Sequence, residues 1–251
     1  MCSSYSAGGT AVGTGLNSLP DFGTKIAAEI ALLTHHPFIS APNKFAARAS
    51  LDDIVNTSAA LRGLAVALLK FANDIRWLAC GPRAGLHELK LPSNEPGSSI
   101  MPGKVNPTQE EATIMVCIRV IGNDNVVAIA GSQGNFELNA IRPIIINNVL
   151  HSSRILGDVC DKLRSYSIEG ITLDQNRINK NVTESLMLVT ALSSVIGYDK
   201  ASAIAQKALE ENKTLRGAAI ETHYISAEEF DKIVIAENMV GNPHKDLGVH
   251  E

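Results

Sequence analysis

Residues 51–79 contain no proline and a single glycine, so this chain most strongly predicts one long uninterrupted helix. At ~1.5 Å per residue that helix would be about 43 Å long. Apolar side chains recur in it at steps of three, four, seven and three, the spacing of one helix face: Leu61, Leu64, Leu68, Ile75 and Leu78. A helix of this length is typical of a long bundle or of the core of an oligomer.

Two further stretches are expected to be helical on the same grounds. Residues 21–36 end before a proline, and Ile26, Ile30 and Leu33 fall on one face of the predicted helix. Residues 136–167 form another long apolar stretch, in which Pro143 predicts either a kink or a helix start.

Asn106 and Pro107 predict the start of another long helix, which should end near residue 130. Asparagine is a favoured N-cap, and proline is favoured at the first helical position. Gln109 then falls where a capping box requires it, and Glu110 and Glu111 suit the positive end of the helix dipole.

The second part of the chain has shorter segments and denser charge, which predicts a separate small helical domain. No stretch shows convincing strand alternation, so the predicted fold class is all-α. We predict a long-helix bundle domain over residues 1–169 and a small C-terminal helical domain over residues 170–251. The helices expected in the small domain are residues 174–196, 199–211, 214–223 and 227–235.

Composition excludes several classes of function. The net charge of −4 argues against a nucleic-acid partner, since such proteins carry a basic excess. The four cysteines show neither CxxC nor zinc-finger spacing, so we expect a reducing compartment and no metal site. The richest apolar stretches, residues 61–72 and 141–150, fall short of the ~20 residues of a membrane span, and no signal peptide is visible. We therefore expect a soluble protein with no membrane partner.

The most informative segment is NEPGSSIMPGKVNPTQEE, residues 94–111. Its glycines and prolines predict tight turns, with two serines beside them and Lys104 just ahead of a helix. Free backbone N–H groups, a helix dipole and an ammonium group would converge there, which is the chemistry of an anion site. A purely structural loop before a capped helix is the alternative. The segment is not a phosphate-binding Walker loop, because Val105 stands where Ser or Thr is required.

Within it, GSSIMPGKVNP (residues 97–107) resembles the signature of the fumarase/aspartase superfamily. The companion segments resemble class II fumarate hydratase in particular, and Gly103 and Thr108 favour it over aspartases. They are GGTAVGTGLN (8–17), APNKF (41–45), GPRAGL (81–86), NEPGSS (94–99), NPTQEEA (106–112), GNFELN (134–139) and SLMLVTAL (185–192). The resemblance extends over nearly the whole chain, from Gly8 to about Gly241.

The resemblance implies reversible, cofactor-free hydration of fumarate to L-malate. It assigns Ser98 as the base that removes the C3 proton, and Glu111 as the residue that orients and polarises a catalytic histidine. Substrate-binding roles fall to four further residues: Ser99, Lys104, Val105 and Asn106. It also implies a homotetramer with active sites shared between subunits, in the cytoplasm or, in a eukaryote, in the mitochondrial matrix.

The sequence departs from that family in one respect. The family's NMNxNE-type and SSND-type substrate loops and its GRTHLQDA-type segment, which carries the histidine, have no counterpart in this sequence. We therefore expect a C-terminal portion that is inactive alone and needs its own copies or an N-terminal fragment. The alternatives are a catalytically incompetent helical subunit, or a related lyase such as aspartate ammonia-lyase.

Overall fold

A computed structural model gives the structure of the protein and describes residues 3–240. Over that range the all-α prediction is confirmed. Its four strands have two or three residues each: β1 (Ser3–Tyr5), β2 (Phe38–Ser40), β3 (Leu89–Lys90) and β4 (Thr172–Leu173). The α-helices are α1 (Phe22–Thr34), α2 (Lys44–Ala49), α3 (Asp52–Leu78), α4 (Thr108–Gly131), α5 (Arg142–Tyr166), α6 (Gln175–Thr183), α7 (Ser193–Ile196), α8 (Tyr198–Glu210), α9 (Leu215–Glu221) and α10 (Ala227–Ile233). Three 3-10 turns complete the list: Ile168–Gly170, Leu186–Leu192 and Ala236–Met239.

The chain divides into two compact units. The first comprises Met1–Gly85 and Leu89–Thr172, and the second comprises Leu86–Glu88 and Leu173–Glu251. The sequence-based boundary at residues 169/170 remains a prediction.

The first unit is built on α3, α4 and α5, with α3 packed on α4 and α4 on α5. One core cluster joins the three helices through small or aliphatic side chains: Ala65, Cys117, Val120 and Leu156. A second one lies nearer the α4–α5 connection: Val127, Ala130, Ile145 and Val149. Small residues such as Ala65 let the helix backbones approach closely, which suits a chain with only 4% aromatic residues. The packed environment also raises the pKa of the Cys117 thiol, because burial penalises the thiolate.

The predicted N-cap of α4 is wrong. The helix begins at Thr108, and the residue before it is Pro107, whose ψ of 55° is not helical. Asn106 therefore lies one residue too early to cap the helix, and no side chain caps it. Glu110 and Glu111 do lie in the first turn, where their charges complement the helix dipole.

The long helix predicted over residues 136–167 begins later, at Arg142, so Pro143 marks a start rather than a kink. Asn139, which is fully buried, explains the delay. Its amide nitrogen donates to the carbonyl of Ala130 at 3.0 Å, and its Oδ1 accepts from the N–H of Ile141 at 2.8 Å. The Asn139 side chain thus bonds both to the end of α4 and to the residue just before α5. These two hydrogen bonds hold the intervening residues in a turn.

Of the three apolar residues expected on one face of α1, Ile26 and Ile30 are partly buried and Leu33 is exposed. The helix buries Gly23 and Ala27, whereas Leu33 is 71% exposed. The glycine allows a close backbone approach: a Cβ on Gly23 would lie 2.5 Å from the carbonyl oxygen of Ala7. The close backbone contact at Gly23 therefore lies on the same face as the partly buried Ile26 and Ile30.

Helices α3 and α4 are long and apolar enough to cross a membrane by length and composition alone. The shorter apolar stretches considered in the sequence did not indicate this. Long core helices outside membranes meet the same criterion, which makes it weak evidence. The two helices are joined by an ion pair between Arg62 Nε and Asp124 Oδ2 at 3.2 Å, with the Asp124 side chain only 8% exposed.

The second unit has its own core around α8 and α9, and exposed ion pairs on its surface. Its buried residues are Leu192, Ala201, Ile204, Ala208, Leu215, Ala218, Ala219, Ile225 and Phe230. On the surface, Glu211 accepts from Lys207 Nζ at 2.6 Å and pairs with Lys213 Nζ at 2.7 Å. These two ammonium groups, Lys207 first, lower the pKa of the Glu211 carboxyl to about 2.

This depressed pKa predicts a small acid-dependent loss of stability. The stabilisation that the ionised Glu211 contributes to the folded state is complete above the unfolded pKa of about 4.3. It is lost as pH falls toward 2, since the unfolded chain binds the proton more readily. Comparing urea unfolding of the wild type with Glu211→Gln, we expect the difference in free energy of unfolding to shrink between pH 5 and pH 3. Glu210→Gln is the control, because Glu210 is exposed and has no ion pair within residues 3–240. A pH-independent difference for Glu211→Gln would contradict the assignment. The effect is modest because exposed ion pairs are screened.

Candidate active site

The loop before α4 is shaped by a tight turn over Met101, Pro102, Gly103 and Lys104. The N–H of Lys104 donates to the carbonyl of Met101 at 3.3 Å, and Gly103 has φ +79°. A proline at the second position of a turn and a glycine with positive φ at the third position define a type II turn. The turn therefore places Lys104 at its exit, four residues before the first residue of α4.

A second glycine closes the loop on itself. Gly97 also has φ +79°, and a Cβ built on it would lie 2.3 Å from the carbonyl oxygen of Lys104. The two ends of the segment are thus in direct backbone contact, which only glycine permits. Because Ser98 follows Gly97, this contact holds Ser98 and Lys104 in one compact loop.

The Ser98 hydroxyl lies over two backbone donors. Its Oγ accepts from the N–H of Ile100 at 3.2 Å and from that of Met101 at 3.3 Å. Hydrogen bonds to the charged form of a group favour that form, so these two donors stabilise negative charge on the serine oxygen. Ser98 itself is partly buried.

The other residues of the loop face solvent to different degrees. Lys104 is exposed, and its ammonium group has no hydrogen bond or ion pair within the part of the chain that the structure describes. Ser99 is exposed, Val105 is 45% exposed, and Asn106 is partly buried. The loop thus presents an unpaired cation and hydroxyl groups together, which suits a carboxylate.

Glu111 lies in the first turn of α4 and contacts α3. Arg76 Nη2 donates to its Oε1 at 3.1 Å, while its Oε2 has no hydrogen bond within residues 3–240. Both side chains are partly exposed, at 39% for Arg76 and 46% for Glu111. One carboxylate oxygen is therefore held and the other is open to a further donor.

The neighbouring Glu110 has a different environment. It is 1% exposed and accepts a hydrogen bond from the hydroxyl of Ser167, which follows α5. This hydrogen bond joins the start of α4 to the residue after α5. Glu110 therefore helps to position the helix turn that carries Glu111. Sequence reasoning missed both Glu110 and Arg76 as partners in this region, and no local spacing signals either contact.

The residues that the sequence singled out fall in two neighbouring segments of the first unit. Five of them lie in one loop of the first unit: Ser98, Ser99, Lys104, Val105 and Asn106. Glu111 follows in the first turn of α4, where it accepts a hydrogen bond from Arg76. Within residues 3–240, no cluster of three or more His, Cys, Asp or Glu could hold a metal ion.

Comparison with known proteins identifies the family. The family model described as "Lyase" matches residues 2–122, and that described as "Fumarase C C-terminus" matches residues 188–241. The fumarate hydratase class II of Methanosarcina acetivorans is 71% identical over 240 residues, which are 96% of this chain. The chain belongs to the class II fumarase family. The Thermosynechococcus vestitus member is 57% identical over 93% of the chain.

A solved structure of the family shares this fold. The class II fumarase of Schistosoma mansoni superposes with a TM-score of 0.89 at 40% identity, covering 93% of this chain and 52% of that one. The chain spans about half the length of the curated class II fumarases it matches. The part it resembles is the C-terminal one, because the C-terminal fumarase model matches near its end.

Proposed function

We propose that this chain forms part of a fumarate hydratase and carries the serine–lysine–asparagine part of its active site. The proposal rests on the environment of the Ser98 oxygen, which accepts hydrogen bonds from two backbone N–H groups. The loop that holds this serine is closed by the contact between Gly97 and the Lys104 carbonyl. The names of the relatives, with up to 71% identity, supply the reaction.

The reaction demands a base and fixed positive charge. In the direction of dehydration, Ser98 as an alkoxide takes the C3 proton of malate, and the electron pair moves into the adjacent carboxylate as an aci-carboxylate. That pair then forms the double bond, while the C2 hydroxyl leaves with a proton from an acid as water. Lys104 and Asn106 bind the carboxylate on which the charge develops, and Ser99 and the Val105 backbone complete the binding loop.

Glu111 is proposed to orient the histidine of the missing segment. Arg76 holds Oε1, so Oε2 is the oxygen left for the N–H of an imidazole ring. A carboxylate that accepts from one ring nitrogen fixes which nitrogen is free to exchange protons. The histidine would belong to a segment that this sequence does not contain.

The apolar surface of the three long helices supports an assembly. Large apolar side chains on them are exposed in the single chain: Leu64 47%, Val66 52%, Trp77 67%, Met115 64%, Ile118 58%, Ile129 65% and Leu150 57%. An exposed apolar surface of this extent marks an interface. We propose that it is covered in a homotetramer, together with an N-terminal fragment of the kind found in the longer relatives.

A reconstitution experiment tests the function. The purified chain alone should not consume fumarate, whereas mixing it with the part of the Methanosarcina acetivorans relative that it does not cover should restore turnover. Light scattering reports whether the two parts assemble. An assembled complex without fumarate turnover would refute the proposal, and release of ammonia from L-aspartate instead would point to the related lyase.

A further inference from the structure

A cavity in the first unit has no residue of the Ser98 loop in its lining. It has a volume of about 370 Å³, and its lining includes Ser6, Gly8, Thr10, Ser18, Phe22 and Arg48. Ligand sites for small molecules begin at about 300 Å³, so the volume suits a small ligand. Nothing in the proposed hydratase reaction uses it.

The wall of this cavity, which we call the Arg48 pocket, is built from closely packed backbone. Gly8 has φ +81°, and a Cβ on it would lie 2.9 Å from the nitrogen of Gly23. A Cβ on Gly13 would lie 2.6 Å from the nitrogen of Phe45. The loop is thus seated against the starts of α1 and α2, and its shape does not depend on flexible side chains.

Three cations surround this region without a carboxylate partner. The Lys44 ammonium donates only to neutral oxygens, the Ser40 hydroxyl at 2.9 Å and the Ala41 carbonyl at 3.3 Å. Arg142 likewise donates to backbone carbonyls, including that of Ala47 at 3.1 Å. Neither these two residues nor Arg48 has an ion pair within residues 3–240.

Arg48 is the cation that lines the cavity, and its buried Nε atom has no hydrogen-bond partner among residues 3–240. The side chain as a whole is only partly buried, so its guanidinium is the charged group of the lining with which an anion would pair. Burial, and after it the adjacent Arg48, lower the pKa of the Arg142 guanidinium.

The start of α1 adds to the same polarity. Phe22, its first residue, lines the cavity, and the first turn has no acidic residue. The preceding Asp21 does not cap the helix with its side chain and does not line the cavity. The positive end of the helix dipole is therefore not neutralised by a cap.

We propose that the Arg48 pocket binds a small anion, a carboxylate or a phosphate, with the Arg48 guanidinium as its principal ligand and the hydroxyls of Ser6, Thr10 and Ser18 around it. The proposal is independent of the hydratase reaction. It adds a second anion site to the one proposed at Lys104.

Titration calorimetry of the full chain with inorganic phosphate and with malonate, at constant ionic strength set by sodium chloride, tests it. We expect saturable binding of one anion per pocket, and the tighter of the two anions identifies the ligand class. Arg48→Gln should weaken that binding about tenfold or more, since it removes a charge-assisted hydrogen bond. Lys104→Met removes the cation of the other proposed anion site, so the anion binding that remains in this variant reports the Arg48 pocket alone.

Ser18→Phe is a second variant that fills the cavity without touching the charge of Arg48, and it should weaken binding to a similar degree. Circular dichroism melting confirms that each variant folds, and Ser18→Phe decides the matter if Arg48→Gln does not. Binding of neither anion, full binding by the folded Arg48 and Ser18 variants, or loss of binding in Lys104→Met would each overturn the proposal.

Discussion

Replacing Ser98 with alanine lowers kcat for fumarate hydration by about a thousandfold in the reconstituted assembly. The expectation follows from the geometry of the oxygen, which two backbone N–H groups hold ready to carry charge. Removing a positioned base typically costs 10²–10⁴-fold in rate. Because alanine keeps the backbone and every loop contact of Gly97, KM should change far less than kcat. Steady-state kinetics with fumarate and with malate measure both parameters.

Ser93→Ala is the matched control. Ser93 lies in the same connection between α3 and α4, is exposed, and has no part in the proposed site. We expect it to retain wild-type kinetics. Near-normal turnover by Ser98→Ala would remove the serine from its proposed role while leaving the family assignment intact, since that assignment depends on the whole chain. Loss in both variants would show that the connection as a whole, rather than the Ser98 oxygen, limits the rate.

Local patterns predicted the long helices well. Residues 51–79 were expected to be one helix, and α3 extends over Asp52–Leu78. The prediction succeeds because a run without proline, with apolar side chains at helical spacing, has no competing local structure. It failed at Asn106, because the start of α4 depends on the backbone angles of Pro107, and residue type does not fix ψ.

Tertiary contacts explain the failures that no window of sequence could prevent. The apolar residues after Phe136 suit a helix, yet the buried Asn139 bonds back to α4 and holds them in a turn. On α1, Gly23 packs against the backbone of Ala7, which the apolar spacing of the helix does not signal. In each case one close contact outside the helix decides a feature that apolar spacing does not specify.

In the candidate site, too, local sequence predicted the loop but not the contacts between helices. Its loop was predictable, because the Pro102–Gly103 pair specifies a type II turn from local chemistry alone. The partner of Glu111 was not, since Arg76 lies 35 residues earlier on another helix. The cations of the Arg48 pocket gave no signal either, because they come from α2 and α5.

The loop itself can be tested with two glycines that differ in one respect. Gly97 and Gly103 share φ +79°, so alanine at either position carries the same left-handed strain, about 1 kcal/mol. Only at Gly97 does a Cβ meet another atom, the Lys104 carbonyl oxygen at 2.3 Å, whereas nothing lies within 4 Å at Gly103. Any difference between the two variants therefore reports the contact and not the backbone angle.

Gly97→Ala is expected to lower kcat/KM at least about a hundredfold, because the loop must open and displace Ser98 from Lys104 by an ångström or more. Gly103→Ala should lower it only about fivefold, the factor that corresponds to about 1 kcal/mol. Hydrogen exchange of the Ile100 and Met101 amides, which donate to Ser98 Oγ, provides a readout in the purified chain that needs no activity, and their protection should fall further in Gly97→Ala than in Gly103→Ala. Equal effects of the two substitutions would mean that the contact between Gly97 and Lys104 does not hold the loop, and the proposed geometry of the base would then lose its support.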